Sequence, residues 1–572
     1  SYLLHYLSAR LCWYIARIYG PDAIITPSLW SQEIIDALLV KSYPNFGATF
    51  GCLGDGLTPA QRFNNKTSIS LSTAGFPNVI TAVVPGKQAA EKLGKKLSQH
   101  LTKQWRFIAR RVREHIKTSV QNYLTDEHIK EILGKFPGTS ETKLQQWRQG
   151  GCWEWNKLWD AQINHTWEPY WTAIPLGYPE QQLTIQEEAT GAFDQTWKAN
   201  QETVAPSRFD QPTPTNAEET FYHDLNIGTW WGNVQARLGN AIQAVKNTRS
   251  WQIPTAPGER STISGQFSAL HPSFNYGIQE TTPGNLKDLR AGAGLSSGSM
   301  QLFWGLMALV YPGLFNGSEK LNALELTKRM AWVYGGVAKS LGIDLEEELR
   351  KRPDRRDYEK FIRFPNLSSI ASARFAADRP DLVRRYLRTL SRHISEPPHF
   401  DAQARKAFFA KTLRPSHVPK TDATIDLQQK KSYNGVMFSS KWLADDMGLN
   451  GVAATTELRG LVAQAHKDCG FGDNSPADWW VIVLADGDGM GQYVTGRKLK
   501  SYHAYIDKTA VDIPPEQQAT FAELLDTRKR MGPATHVGLT RALLDFSNRL
   551  VPYITEQRFC GKVVYSGGDD VM

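Results

Sequence analysis

The chain has 572 residues, of which 41% are hydrophobic and 22% charged, and its formal net charge is +9. This apolar content and the 18 tryptophans exclude an intrinsically disordered protein, and the length exceeds that of one ordinary core, so we expect several domains. The basic excess favours a polyanionic partner such as nucleic acid over a surface that is merely solvated.

The cysteines and the apolar runs indicate where in the cell the protein is expected. The five cysteines lie far apart without a C-x-x-C pair, so the sequence shows no zinc site and no disulfide framework. Scattered thiols are typical of a reducing cytosol, and we expect a cytoplasmic protein. The longest apolar run, 300–315, contains Pro312 and is too short for a membrane span. We therefore expect a buried helix there and no membrane partner.

The first quarter of the chain alternates helix and strand signals. Hydrophobic periodicity predicts a helix over 3–19, a strand over 76–85 and a long basic helix over 87–117. This order indicates an α+β first domain, which we extend over 1–250 with a tryptophan-rich helical insertion.

The insertion carries tryptophans at irregular spacing. Such aromatics are typical of core packing, and stacking on nucleobases is the alternative. They are Trp147, Trp153, Trp155, Trp159, Trp167, Trp171, Trp197, Trp230 and Trp231. Proline, threonine and glycine dominate 204–216 and 253–298, so we expect loops there and treat 251–298 as a loop region.

Residues 299–474 predict a helical domain. Within it, 381–393 places Leu382, Tyr386 and Leu390 on one stripe with four arginines around it. A solvated basic face is the usual interpretation of this pattern, and contact with RNA phosphates is the alternative.

Residues 475–572 predict a last domain of different character. The apolar run 479–485 is typical of a strand buried on both faces. A helical period over 535–556 turns Leu539, Leu543, Leu544, Phe546 and Leu550 inward, and 562–565 predicts another strand. The sequence stops just after a turn signal, so we expect this domain to be incomplete at its C-terminal end.

Acidic and glycine-rich motifs follow both predicted strands of the last domain. The candidate site residues are Asp486, Gly487, Asp488, Gly489, Met490, Gly491, Gly567, Gly568, Asp569 and Asp570. If the two strands are neighbours, Asp486 and Asp569 meet, and a cation between them relieves their repulsion. Mg²⁺ or Mn²⁺ takes such oxygen ligands and neutralises charge in phosphoryl transfer from a nucleoside triphosphate.

The glycines have their own roles in this hypothesis. The Gly487–Gly491 loop would let the backbone approach a triphosphate, and Gly567 with Gly568 would form the tight hairpin that presents Asp569. Each motif alone is more often a simple turn. A calcium loop is excluded because Met490 and Arg497 stand where ligands are required.

At these residues the sequence resembles the palm of the large subunit of Cmr-type (type III-B) CRISPR effector complexes, the cyclic oligoadenylate synthetase family. The similarity extends to other parts of the chain, namely 1–8, 20–29, 76–78, 319–323, Lys328 with Arg329, 363–366, His536 and 540–543. The resemblance implies an α+β multidomain fold with two ferredoxin-like, nucleotidyl-cyclase palm domains and an intervening helical domain.

The resemblance also implies an activity in antiviral defence. Target RNA would activate the synthesis of cyclic oligoadenylate from ATP, in a complex with other Cmr-type subunits and CRISPR guide RNA. Asp486 and Asp569 would be metal ligands, and Asp570 would assist with the metal or the 3′-hydroxyl. Gly487–Gly491 would hold the triphosphate, while the first domain keeps no acidic pair and would lend surface only.

The sequence departs from the family in two places. The His-Asp pair His223-Asp224 stands without visible partner ligands, so we expect no HD nuclease in this chain. The expected zinc-finger position, 258–272, has no cysteine, so we predict no zinc. Two other functions stay open: a non-catalytic scaffold that binds guide and target RNA, and a stand-alone cyclic-dinucleotide cyclase.

Overall fold

A computed structural model describes most of the chain. The described residues are 2–51, 57–58, 75–150, 153–176, 215–221, 230–249, 258–273, 297–311, 314–351, 365–395, 400–411, 418, 420–421, 434–447, 449, 452–471 and 474–572. The predictions for Trp197, His223 and Asp224, and most of the two predicted loops 204–216 and 253–298, lie outside the described residues.

The described chain is mostly helical. Its α-helices are Tyr2–Tyr19, Glu33–Ser42, Phe46–Gly51, Gly86–Tyr123, Asp126–Lys135, Glu141–Gln149, Asn156–Asn164, Asn216–Phe221, Trp231–Asn247, Ser297–Val310, Ala323–Met330, Val337–Ser340, Leu345–Lys351, Leu367–Asp378, Pro380–Ser395, Ala402–Lys411, Ser440–Met447, Val452–Cys469, Met490–Val494, Gln518–Asp526 and Pro533–Asp545. Short 3₁₀ turns are Pro21–Ala23, Gly435–Phe438, Tyr502–Ala504, Lys508–Ala510 and Pro515–Gln517, and π-helical turns are Phe546–Leu550 and Tyr553–Arg558.

Strands in the described residues form two small antiparallel sheets. Strand β1 (Ile24–Thr26) pairs with β2 (Thr81–Ala82), and β3 (Ser566–Gly567) pairs with β4 (Asp570–Val571). The predicted 76–85 strand is therefore confirmed only at its centre. The α+β class holds in the broad sense of a helical, multidomain chain with few strands, and the two palm sheets stay a prediction.

The first core is built around the Gly86–Tyr123 helix, hereafter the basic helix. It buries Trp105, Ile108, Val112, Ile116 and Val120, spaced three or four residues apart on one face. The Tyr2–Tyr19 helix packs against it, so the helices predicted over 3–19 and 87–117 are confirmed.

The tryptophans contribute to this same core. Trp147, Trp153, Trp155 and Trp159 are buried and meet one another or Phe303 through edge-to-face contacts. Core packing is thus the confirmed interpretation for these four. The predicted buried helix at 300–315 forms over Ser297–Val310 and packs here as well.

Hydrogen bonds hold the segment at the expected zinc-finger position. Arg260 pairs with Ser268 across a β-bridge, and the Leu270 amide donates to the Leu321 carbonyl. The Ser261 hydroxyl donates to Glu325 Oε1 at 2.7 Å. Glu325 also closes a capping box with Asn322 at the start of the next helix.

A second core lies between residues 376 and 469. The Pro380–Ser395 helix packs on the Val452–Cys469 helix and buries Tyr386 and Leu390, as the arginine-flanked stripe predicts. No helix of the described chain is both long and apolar enough to cross a membrane.

Two predictions for the last domain are wrong in detail. Residues 479–484 do not form a buried strand, since Trp479 is 87% and Val481 84% exposed. Only the next residue, Ala485, pairs with another segment, and nothing in the described residues covers the apolar run. The strand predicted over 562–565 does not form there, and a two-residue strand follows directly at Ser566–Gly567.

The 535–556 helix also differs from its prediction. The α-helix ends at Asp545 and continues as π-helical turns, which shift the inward face. Leu544 is buried as expected, but Phe546 and Leu550 are 41% and 47% exposed. The extra residue in each π turn rotates these side chains away from the helix's inner face.

Candidate metal and nucleotide site

The site is assembled from two segments that meet at one bridge. Ala485 and Val571 exchange two backbone hydrogen bonds of 2.9 and 2.8 Å. This antiparallel pairing places Asp486, which follows Ala485, beside Asp570, which precedes Val571. The predicted meeting of the two acidic motifs is therefore present in the structure, although the flanking 479–484 strand is not.

The second motif forms a tight hairpin. Gly567 pairs with Asp570, and the two residues between them, Gly568 and Asp569, make the turn. Gly568 has φ +66°, a left-handed conformation that glycine adopts without steric cost. The Ser547 hydroxyl donates to the Gly568 carbonyl at 3.2 Å and ties the turn to the helix before it.

Three carboxylates converge at this hairpin. Asp486, Asp569 and Asp570, hereafter the carboxylate cluster, each offer an oxygen within 4.8 Å of the others. Partial burial raises the pKa of Asp570, and the charges of Asp486 and Asp569 and a hydrogen bond with Asp486 raise it further. The cluster therefore concentrates negative charge, and none of its three members supplies a positive charge to balance it.

The cluster suits a hard divalent cation. Such ions hold oxygen ligands at about 2.0–2.6 Å, so two ligands on opposite sides of one ion lie about 4–5 Å apart. The three oxygens all lie within 4.8 Å of one another, which fits this span, and Asp486 and Asp570 are open to solvent. Within the described residues, this is where three acidic, histidine or cysteine side chains come close enough to share an ion.

The glycine-rich loop packs onto the cluster. A Cβ built on Gly487 would lie 2.6 Å from Asp569 Cβ, so the loop backbone rests directly on this aspartate. Gly489 has φ +73° and begins the short Met490–Val494 helix, whose Gly491 faces open space. The Lys498 ammonium donates to the Asp488 carbonyl at 3.0 Å and closes the loop.

Sequence reasoning missed several residues that shape this site. Lys498 supplies a cation beside the loop, and only its position soon after the loop could have indicated it. Tyr565 lies near enough for Asp570 and Asp569 to add to the rise that burial causes in its pKa. Gly75 of the first domain packs on the hairpin, since a Cβ on Gly75 would lie 2.5 Å from the Ser566 carbonyl oxygen. No local sequence signal connects residues so distant in the chain.

Behind the hairpin lies a buried ion pair. The Lys562 ammonium donates to Glu556 at 2.9 Å, and the Val563 amide donates to the same carboxylate at 3.1 Å. The two side chains are 4% and 0% exposed. This pair fixes the segment that leads into the hairpin against the last π-helical turn.

The N-terminal region also contacts the helix that precedes the hairpin. The Thr540 hydroxyl donates to the Ile25 carbonyl at 3.3 Å, and the Trp231 indole donates to His536 Nδ1 at 3.3 Å. Burial lowers the pKa of His536, in keeping with a neutral ring that accepts this bond. The first and last domains are thus packed together beside the site.

The fold and the site define a large, mostly helical, multidomain protein with a candidate divalent-cation centre. Residues 1–110 match the family model described as CRISPR-associated protein Cmr2, N-terminal. This match, over the first 110 residues, agrees with the resemblance of the sequence to Cmr-type large subunits.

A curated relative supports the same assignment. The CRISPR system Cmr subunit Cmr2 of Pyrococcus furiosus is 29% identical over 116 residues. The alignment covers 20% of this chain and 12% of that protein. The match to the family model ends before the carboxylate cluster, which lies outside residues 1–110.

Proposed function

We propose that the carboxylate cluster is a divalent-cation site for nucleotidyl transfer from ATP. The observation that carries the proposal is the meeting of three carboxylates from two distant motifs within 4.8 Å. Asp486, Asp569 and Asp570 would hold Mg²⁺ or Mn²⁺. When bound, the cation would neutralise charge on the triphosphate and acidify the attacking hydroxyl.

The remaining parts of the reaction fall to the chain's own groups. The Gly487–Gly491 backbone and the Lys498 ammonium would bind and orient the triphosphate beside the cluster. Asp570, whose pKa is raised, would assist with the metal or with activation of the 3′-hydroxyl. Gly567 and Gly568 would keep the hairpin tight enough to present both aspartates.

The resemblance to Cmr-type large subunits extends the proposal to a product and a trigger. The chain would act as the large subunit of a type III-B effector complex, with other Cmr-type subunits and CRISPR guide RNA as partners. Binding of target RNA would activate the synthesis of cyclic oligoadenylate in antiviral defence. The first domain's contacts with the Pro533–Asp545 helix give a physical route by which events elsewhere in the complex could reach the hairpin.

The test is product formation by the assembled complex. ATP with Mg²⁺ or Mn²⁺ is incubated with and without matching target RNA, and cyclic products are separated by chromatography and identified by mass spectrometry. RNA-dependent product is expected. The Asp569→Ala/Asp570→Ala variant should abolish it while the complex still assembles.

Two other outcomes would replace the proposal. Cyclic product that forms without RNA would indicate a stand-alone cyclase. No product in any condition, with RNA binding intact, would indicate a non-catalytic scaffold subunit.

A further inference from the structure

A cleft of about 1190 Å³ lies away from the carboxylate cluster, on the first core. Its walls are the N-terminal helix Tyr2–Tyr19, the basic helix and residues 335–340. None of the proposed catalytic residues lines it. The cleft is therefore a separate site from the one proposed at the hairpin.

The lining of the cleft is strongly basic. Arg10, Lys103 and Arg110 line it, and no carboxylate among the described residues pairs with them. Arg106 donates only to the neutral Asn164 amide oxygen, at 2.8 Å. The one carboxylate in the lining, Asp160, is already paired with Arg113 at 3.0 Å.

Arg10 concentrates this imbalance at the inner end of the cleft. Its Nε is buried without a hydrogen-bond partner, and the nearby His100 Nε2 is buried without one too. Burial lowers the pKa of His100 and of Lys41, and in both cases the charge of Arg10 lowers it further. Cations that repel one another, with donors left unused, favour an anion as the missing partner.

The outer rim of the cleft follows one face of the basic helix. Lys103 and Arg110 line the cleft and are exposed seven residues apart, and exposed Lys96, outside the lining, extends this row to about 21 Å at about 1.5 Å per residue. Between them Phe107 lines the cleft and is 43% exposed, with Arg111 5.9 Å from the centre of its ring. A row of cations with an exposed aromatic ring is the arrangement that binds single-stranded nucleic acid.

We propose that this cleft binds the phosphate backbone of single-stranded nucleic acid, with Lys103, Arg106 and Arg110 on the phosphates and Phe107 stacked on a base. The length of the row suits successive phosphates along a strand better than the single phosphate group of one nucleotide. The shared ligand chemistry is the sugar-phosphate backbone of a single strand, and RNA and DNA are its two sources.

The test is fluorescence anisotropy with the full chain. It is titrated into a fluorescein-labelled single strand, as RNA and as DNA of the same sequence, at several salt concentrations. The Lys103→Glu/Arg110→Glu variant should weaken binding at least tenfold, and the salt dependence should lose about 1.4 in slope, at about 0.7 per lost phosphate contact.

A matched control carries the same charge change elsewhere. Arg459 and Lys467 are exposed on the Val452–Cys469 helix, and Arg459→Glu/Lys467→Glu should bind like the wild type. A second variant, Phe107→Ala, should weaken binding about fivefold or more without changing the salt slope, because stacking releases no counterions. Melting temperatures check that all variants are folded.

The outcomes decide the proposal. Tighter binding of RNA, of DNA, or equal binding of both supports it and identifies the source. Equal loss of affinity in the cleft variant and in the control, or full displacement of the strand by ATP alone, would overturn it. Failure of ATP turnover at the hairpin has no bearing on this result, so the two proposals can fail separately.

Discussion

Gly487 rests on the side chain of Asp569, close enough that a Cβ built on the glycine would lie 2.6 Å from Asp569 Cβ. The two residues belong to different motifs, and the contact sets how deep the glycine loop sits over the hairpin. Any side chain at position 487 has to push either the loop or the aspartate away. The spacing between the loop and the carboxylates is therefore fixed by the absence of one carbon atom.

Gly487→Ala should displace Asp569 and lower metal-dependent ATP turnover about 100-fold, since a shift of about 1 Å at a reacting centre has that effect. Gly460→Ala is the matched control, because nothing lies within 4 Å of a Cβ at that position and Gly460 lies outside the proposed site. Rates of product formation by both variants, with melting temperatures unchanged, check the prediction. Equal rates would mean that the Gly487 contact is not functional.

Asp570→Asn should stabilise the metal-free protein at neutral pH, because it removes one of three repelling charges. The folded-state pKa of Asp570 is raised, so the wild type loses stability as pH rises from the ordinary Asp value, about 4, through that raised value. The variant should not show this loss. Melting temperatures in EDTA across this pH range measure the difference.

Adding Mg²⁺ or Mn²⁺ should make the wild type more stable than the Asp570→Asn variant, the reverse of the order without metal. The wild type gains stability from the ion, while the variant has lost a ligand and gains less. Parallel responses of the two proteins to the ion would contradict a role for Asp570 in the cluster.

His5→Gln should flatten the pH dependence of stability on the acid side. His5 is buried, and its Nδ1 accepts the Gly75 and Phe76 amides at 3.2 and 2.5 Å. Burial lowers its pKa to about 3. As pH falls below about 6.5, the unfolded histidine takes up a proton that folded His5 does not, so stability is lost.

This loss amounts to at most about 1.4 kcal/mol per pH unit for one histidine. Glutamine can still accept an amide hydrogen bond but does not titrate. His115 and His271, whose pKa values fall to about 4 and about 3 mainly through burial, add the same effect to both proteins. The difference between the curves of melting temperature against pH for the wild type and His5→Gln therefore isolates the effect of His5. Superimposable curves would contradict the prediction.

Substituting either partner of the buried Glu556–Lys562 pair should strongly destabilise the protein. Lys562→Met and Glu556→Gln each leave one buried charge unpaired, at about 3–5 kcal/mol. The double variant should recover most of the loss, because both charges are then gone. Arg148→Met breaks the exposed pair with Asp126 and should cost less than about 1 kcal/mol. Denaturant unfolding of the four variants and the wild type measures the loss in free energy of unfolding. Losses in Lys562→Met and Glu556→Gln no larger than in Arg148→Met would contradict the prediction.

The sequence predicted helices better than strands, and the reason is physical. The basic helix and the Tyr2–Tyr19 helix carry their periodicity within their own residues. The apolar run at 479–484 indicates burial just as strongly, but a strand is buried only where other segments cover it. That information lies outside the run, so local reasoning failed there.

The candidate site was predictable in part for the same reason. Both motifs carry glycine and aspartate at turn positions, so the hairpin and the proximity of Asp486 to Asp569 could be predicted. The roles of Lys498, Ser547 and Gly75 depend on tertiary packing. The cleft on the first core was visible in sequence only as a basic helix.

The contact of Gly75 with Ser566 has a consequence for how the protein can be divided. The backbone of the first domain forms one wall of the hairpin, and His5 holds that wall in place. A polypeptide that contained only the last hundred residues would carry all three aspartates and yet leave their turn unsupported. The first domain and the hairpin are therefore one structural unit, although they lie far apart in the chain.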